Sequence, residues 1–304
     1  MMQNPVCSRE GKVSARSIRL PLIILLFNGI LFLVTLLNMY SVIAQVKTTA
    51  VIQYRSFLDM YRFVTTIEFI LLLFIMPAVT SAGISGERER QTLDLMLTTQ
   101  MTAAQVILGK LMSALRTLLL LIVSSFPAVA MVFVYGGITW ADVFLLLLCY
   151  LTAALLAGSM GICFSAACKR STMSTVITYG VLIAVVAGTY FINKFCLSLS
   201  STQISSAAAA FGAEMGVQPS SGGAFYLLLL NPAVTFLSII GRQTEGSRAV
   251  AEIGSHFGMN PDGFVMEHWI FISVLIQAAL ALILIGAAIR CLEPVRRTSS
   301  GRWR

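Results

Sequence analysis

The sequence predicts an all-α polytopic membrane protein with six transmembrane helices. Hydrophobic residues make up 57% of the 304 positions and only 11% are charged, against about 25% charged residues in a typical soluble domain. The mean hydropathy is +0.86. A chain this poor in charge has too few polar side chains to cover a water-facing surface, so most of it is expected to face lipid.

Six apolar stretches reach the length of about 20 residues that is needed to cross roughly 30 Å of hydrocarbon. They lie at about 20–44, 63–84, 108–135, 141–167, 173–195 and 267–290. The whole chain, 1–304, is therefore predicted to form a single transmembrane domain. It leaves a charged segment at 85–107 between the second and third spans and a large loop at 196–266 between the fifth and sixth.

The distribution of Lys and Arg predicts that both termini are cytoplasmic. Six spans place the termini on one side, and positively charged segments stay preferentially in the cytoplasm. With the termini inside, the inner segments carry fourteen Lys and Arg and the longer outer segments carry six. The net charge of +8 is thus explained by topology without a nucleic-acid partner, and the arginine-rich tail is expected to meet anionic membrane lipids.

In this orientation the large loop 196–266 lies outside. Within it, Asn231-Pro232 is typical of a helix start, with Asn as the cap and Pro in the first turn. Apolar residues at helical spacing share one face: Ala233, Phe236, Leu237 and Ile240. With Gly241 as a stop signal, the pattern predicts a short amphipathic helix over 231–241, at or dipping into the outer leaflet.

The segment SGERERQTLDLMLTTQMTAAQVILGK (85–110) places charge directly after the second span. Glu87 and Glu89 fall in a first helical turn, where negative charge suits the helix dipole. Three residues at i, i+3, i+4 spacing then form an apolar stripe: Leu93, Met96 and Leu97. Thr102 and Gln105 match a capping box that starts the third span. From the residues alone, this is either an interfacial helix that stabilises the turn or a docking element for a soluble partner.

The same segment resembles that of type-2 ABC transporter permeases. Those proteins carry, between their second and third spans, an acidic-basic cluster, a Gly-Thr-Leu-Glu step, a leucine-rich turn, a Thr-Pro and a closing Gly-Lys. The similar elements here are Thr92-Leu93-Asp94, Leu95-Met96-Leu97 and Gly109-Lys110. The departures are Gln91, Asp94 and Gln100, in place of glycine, glutamate and proline. The six-span layout and the large last outer loop also resemble the family.

The resemblance implies that the chain is the permease subunit of an ATP-driven exporter in a bacterial plasma membrane. In that family the segment is a coupling helix that fits a groove on the ATP-binding subunit. Partner docking is thereby assigned to Glu87, Arg88, Glu89, Arg90, Leu93, Asp94 and Leu97. The resemblance further implies separate ATP-binding subunits and a second permease chain, in a homodimer or a heterodimer.

No cofactor, metal or catalytic residue is expected on this chain. It has no G-x-x-x-x-G-K-[ST] phosphate-binding motif, since its two Gly-Lys pairs are followed by Val and Leu. ATP and Mg²⁺ are therefore expected in the partner subunit. Neither His256 nor His268 gathers the three or four ligands that a metal centre needs.

Four polar residues inside the predicted spans are candidates for the transport pathway or for helix packing. Glu68 and Arg116 each lie six residues past a basic residue at a span boundary, which is about 9 Å along a helix. Arg116 is expected to extend its long side chain to the headgroups, whereas Glu68 fits either an interfacial role or the substrate path. Asn28 and Gln277 are typical of hydrogen bonds between helices.

Small residues recur at every fourth position in two spans, a pattern that predicts close helix packing. They are Ala157, Gly161 and Ser165 in the fourth span and Gly180, Ala184 and Gly188 in the fifth.

Two other classes of function stay open. A polytopic enzyme acting on lipid would need clustered Asp, Glu, His or Lys at one membrane face, and the sequence shows no such cluster. A channel or sensor without an ATPase would leave the coupling-like segment without a purpose. Copurification of an ATPase separates the transporter from both, and the transported substrate is not specified by the sequence.

Overall fold

A computed structural model describes residues 17–49, 54–93, 102–136, 138–211, 218–246, 254–258 and 263–292, and no strand occurs among them. Six helical stretches are long and apolar enough to cross a membrane. They are numbered spans 1 to 6: Leu20–Lys47, Ser56–Glu89, Ala103–Pro127, Trp140–Ala167, Ser171–Ala207 and Trp269–Leu292. This confirms the predicted all-α class with six candidate spans, and it is compatible with a multi-pass membrane protein.

The helices that form these spans extend beyond the apolar runs of the sequence. Their bounds are α1 Arg19–Thr49, α2 Tyr54–Thr80, α3 Ser85–Glu89, α4 Ala103–Gly136, α5 Trp140–Ala167, α6 Ser171–Ile183, α7 Thr189–Phe211, α8 Pro232–Glu245, α9 Phe264–Glu267 and α10 Trp269–Leu292. A π-helical segment, Ala184–Gly188, joins α6 to α7, and a 3₁₀ helix, Gly222–Leu230, precedes α8.

Span 4 lies at the centre of the bundle and contacts spans 2, 3, 5 and 6 as well as α8. Its small residues allow the closest approach. A Cβ atom added at Gly161 would lie 2.1 Å from Thr80 Oγ1, and one added at Gly158 would lie 2.9 Å from Met76 Cε. The first small-residue ladder is therefore a packing face, as predicted, and its partner is span 2.

The second small-residue ladder has no such partner in the described part of the chain. No atom of another element lies within 4 Å of a Cβ added at Gly180 or Gly188, and Gly180 and Ala184 are exposed. The close contact that the sequence predicts for this ladder is thus not formed within the described residues.

Helix α7 continues into the segment assigned to the outer loop, so residues 196–211 are helical. The hydroxyl groups of this stretch donate to backbone carbonyls three or four residues earlier: Ser201, Thr202, Ser205 and Ser206. Those bonds satisfy the side chains inside the helix, and the alanines that follow have the highest helix propensity. Span 5, with 37 residues, is about 55 Å long, so one end is expected to project well beyond the hydrocarbon.

The predicted orientation gives an expected labelling pattern for the two ends of span 5. In a background without other cysteines, a membrane-impermeant maleimide applied to intact cells should label Ser205→Cys. It should not label Lys169→Cys, which is exposed at the opposite end. Both positions should react after permeabilisation, which controls for intrinsic reactivity. The reverse pattern in intact cells would overturn the assignment of the termini to the cytoplasm.

Helix α8 begins as predicted and ends later. The Asn231 side chain accepts a hydrogen bond from the Ala233 N–H at 2.9 Å, and Pro232 is the first helical residue. The helix passes Gly241 and ends at Glu245, where Gly246 follows with a φ of 85°. Gln243 anchors the last turn. That side chain accepts from the Tyr61 hydroxyl at 2.9 Å and donates to the Asp142 carbonyl at 2.8 Å. With the 3₁₀ helix, α8 forms a pair bent by 89°, which is either a broken span or a re-entrant loop.

Candidate functional site

The charged segment that follows α2, at the end of span 2, begins at a backbone turn held by Ser165 of span 4. Helix α2 ends at Thr80, and α3 follows the turn at 81–84. The Ser165 hydroxyl oxygen accepts from the backbone N–H groups of Ile84 and Ser85, each at 2.9 Å. These are donors at the start of a helix, which have no partner inside the helix itself. Ser165 thus supplies from span 4 the acceptor that α3 lacks.

Glu87 ties this segment to span 3. Its Oε1 lies 2.8 Å from Lys110 Nζ, and the exposed fraction of the side chain is 25% for Glu87 and 7% for Lys110. A charge as buried as that of Lys110 is retained when it is paired, because leaving it alone in the interior is costly. The ion pair therefore fixes α3 against the first turns of span 3.

Arg88 and Glu89 hold the short connection between spans 4 and 5 from both sides. Arg88 donates to the Cys168 carbonyl at 2.9 Å and to the Ala166 carbonyl at 3.1 Å, at the C-terminal end of α5. Glu89 accepts from the Ser171 N–H at 2.9 Å and from its hydroxyl at 2.8 Å, at the N-terminus of α6. A positive charge at a helix C-terminus and a negative charge at an N-terminus both complement the helix dipole.

Beyond α3 the backbone takes a conformation that few side chains adopt. Gln91 has a φ of 57°, in the left-handed region that glycine enters freely and that costs other residues roughly 1–2 kcal/mol. Position 91 is where the permease pattern carries glycine. A glycine at this position would adopt the same backbone conformation without strain.

The remaining predicted docking residues fall into three groups. The Arg90 side chain is exposed. Leu93 is only 4% exposed and packs with Ile84 and the start of α4, so its side chain is covered by this chain. Asp94 and Leu97 lie outside the described residues. The assignment of all seven residues to partner docking stays a prediction.

The start of span 3 follows the capping-box pattern. The Thr102 N–H donates to Gln105 Oε1 at 3.1 Å, and the Gln105 N–H donates to Thr102 Oγ1 at 3.3 Å. This reciprocal pair was predicted from the sequence, and it fixes where α4 begins.

The four polar residues of the predicted spans occupy different environments. Glu68 is 1% exposed, and its two carboxyl oxygens lie within hydrogen-bond distance of the hydroxyls of Ser125 of span 3 and Tyr150 of span 4. Arg116 is exposed on span 3. The two amides bond to other helices: Asn28 donates to Ser124 Oγ at 2.9 Å, and Gln277 donates to Thr235 Oγ1 at 2.8 Å and to the Leu229 carbonyl at 3.2 Å.

Several residues that contact the charged segment or Glu68 were not identified from the sequence. Ser165 had a signal, since it ends the small-residue ladder of span 4, but the pattern gave it a packing role only. Ser171, Ser125 and Tyr150 had none, because a hydroxyl at the start of a helix or inside an apolar run does not reveal a partner about 60–80 residues away. In the described ranges, no three His, Cys, Asp or Glu side chains group closely enough to hold a metal ion.

No protein-family model matches the chain, and no curated protein is significantly similar to it.

Proposed function

We propose that the chain is the membrane-spanning permease subunit of an ATP-driven exporter. It would sit in a plasma membrane with both termini cytoplasmic and form the pathway with a second permease chain. ATP and Mg²⁺ would bind to separate ATP-binding subunits. The observation that carries the proposal is that the segment resembling a coupling helix is attached through Glu87, Arg88 and Glu89 to three further elements of the bundle.

These attachments support the transmission of force from a partner to the spans. A displacement of α3 would act on span 3 through the Glu87–Lys110 ion pair. It would act on the end of α5 through Arg88 and on the start of α6 through Glu89. A helix that only covered the membrane interface would not require a charged residue for each of these neighbours, so the arrangement favours a coupling role over the interfacial role.

The exposed Arg90 gives the sharpest test of docking. Its guanidinium forms no hydrogen bond or ion pair with any other described residue, whereas Glu87, Arg88 and Glu89 already have partners inside the chain. Substitution of Leu93 is less informative, because a polar residue there would disturb the packing of Ile84 and α4. A change at Arg90 therefore separates partner binding from the folding of the permease.

The tagged chain, purified from its native membrane in mild detergent, should bring with it a stoichiometric ATP-binding subunit. Arg90→Glu should reduce that recovery about tenfold or more, because a like-charge contact at an interface costs several kcal/mol and about 1.4 kcal/mol is tenfold. Quantitative mass spectrometry of the eluate measures the ratio of the two chains.

Arg242→Glu is the matched control, since Arg242 is an equally basic, exposed residue on α8, which is predicted to lie on the outer side. It should leave the recovery unchanged. Equal recovery with both variants would contradict the role of Arg90. A wild-type preparation with no ATP-binding subunit would contradict the proposed function and favour a lipid-modifying enzyme or a channel.

A further inference from the structure

A buried carboxyl group lies where spans 2, 3 and 4 meet. Glu68 of span 2 is 1% exposed. Its Oε1 accepts from Ser125 Oγ of span 3, and its Oε2 lies 3.1 Å from the Tyr150 hydroxyl of span 4. No Lys, Arg or His side chain in the described parts of the chain forms an ion pair with it. The group is therefore surrounded by neutral hydroxyls and apolar side chains.

The hydrogen bonds around Glu68 need more hydrogens than its ionised form provides. Ser125 Oγ also lies 2.9 Å from the Ile122 carbonyl, and the Tyr150 hydroxyl also lies 3.2 Å from the Thr65 carbonyl. There are four oxygen–oxygen contacts, but Ser125 and Tyr150 bring only one hydrogen each. With an ionised carboxylate, two of the four contacts have no hydrogen between the oxygens.

A proton on Glu68 Oε2 supplies one of the two missing hydrogens, and the contact that stays without one is that between Ser125 and the Ile122 carbonyl, three residues apart in the same helix. The carboxylic acid would donate to the Tyr150 oxygen, and the Tyr150 hydroxyl would then donate to the Thr65 carbonyl. Ser125 would continue to donate to Glu68 Oε1. The result is a continuous chain of hydrogen bonds that runs from Ser125 of span 3 to Glu68 of span 2. It continues to Tyr150 of span 4 and ends at the Thr65 carbonyl of span 2.

The other titratable groups near this site bring no positive charge to it. Tyr61, Cys149 and Tyr150 are buried in the same core, and Asp142 lies at the start of span 4. The basic side chains of span 2 and of the elements that pack against it lie elsewhere: Arg62, Lys47, Arg116 and Arg242 are exposed, and Lys110 pairs with Glu87. Tyr40 of span 1 is exposed as well, and Tyr179 of span 5 donates to the Phe74 carbonyl. An ionised Glu68 would thus be an uncompensated charge away from water, which is strongly unfavourable.

We infer that Glu68 is a proton-binding site at the junction of three spans. The folded protein holds one proton on this carboxyl at neutral pH, and that proton completes the hydrogen bonds among Ser125, Glu68 and Tyr150. Release of the proton requires water or a cation to reach the carboxylate, and therefore a separation of span 2 from spans 3 and 4. The inference does not depend on the proposed exporter function, since it uses only contacts inside the chain.

Infrared spectroscopy of the purified chain in a detergent without ester groups tests this inference directly. A protonated carboxylic acid has a carbonyl stretch well separated from the bands of a carboxylate. Wild-type protein at neutral pH should show this band, and Glu68→Gln should abolish it. Glu87→Gln is the matched control, because Glu87 is paired with Lys110, and it should leave the band unchanged.

A second variant keeps the inference testable if Glu68→Gln folds poorly. Tyr150→Phe retains the ring and removes the oxygen that accepts from the protonated carboxyl, so the band should move to higher frequency. Absence of the band from wild-type protein at neutral pH would overturn the inference. A band that neither Glu68→Gln nor Tyr150→Phe alters would overturn it as well, because the protonated group would then lie elsewhere.

Discussion

Gly161→Val should prevent stable folding, with a loss of about 3 kcal/mol or more, at the upper end of the cost of overpacking a core. The added Cβ would lie 2.1 Å from Thr80 Oγ1 and 3.2 Å from the backbone nitrogen of Ser81. Thr80 is buried and its hydroxyl donates to the Met76 carbonyl at 2.8 Å, so it has little room to turn away. Spans 2 and 4 would have to separate.

Gly180→Val provides the control in span 5. This glycine is also helical, but no atom of another element lies within 4 Å of an added Cβ. The variant should keep the melting temperature of wild-type protein within a few degrees. Both variants are compared by yield of monodisperse protein and by thermal unfolding in detergent. Equal behaviour of the two would show that spans 2 and 4 do not approach each other at Gly161.

Ser165→Ala is expected to loosen the turn between α2 and α3 without changing the rest of the bundle. It leaves the buried N–H groups of Ile84 and Ser85 without the acceptor they share, and each buried donor left unpaired costs about 1–3 kcal/mol. Hydrogen–deuterium exchange measured by mass spectrometry should accelerate strongly in the peptide that contains residues 84 and 85.

The control is Ser201→Ala, which removes an exposed hydroxyl that bonds only to its own helix through the Ser198 carbonyl. Exchange at residues 84 and 85 should then match that of wild-type protein. If exchange in that peptide is also unchanged in Ser165→Ala, the two amides have other acceptors and Ser165 does not hold the turn.

The features that the sequence predicted well are those that depend on neighbouring residues. Hydropathy depends only on composition within a window, so all six candidate spans were found. The caps at Thr102 and Asn231 were found because a capping side chain bonds within two or three residues of itself. A Ser-rich sequence predicts a loop after residue 196. The structure has a helix there, in which the hydroxyl groups bond to carbonyls of the same helix.

The features that the sequence did not predict depend on distant partners. Arg88 contacts the Cys168 carbonyl, and Glu89 contacts Ser171, across about 80 positions of chain. Charges that look suited to water or to another protein also have partners within the chain. Leu93 shows the same difficulty, because an apolar stripe indicates a face to be covered but does not identify what covers it.

Arg88 and Glu89 bond to the two ends of the connection between spans 4 and 5, so the order of these two charges in the sequence is significant. Arginine meets the negative end of α5 and glutamate meets the positive end of α6. An exchange of the two residues would preserve composition, net charge and local polarity, yet it would place each charge against a helix end of its own sign. The position of each charge in the alternating Glu-Arg-Glu-Arg tetrad therefore matters as well as the net charge. Two segments with identical charge content are not interchangeable at this place in the fold.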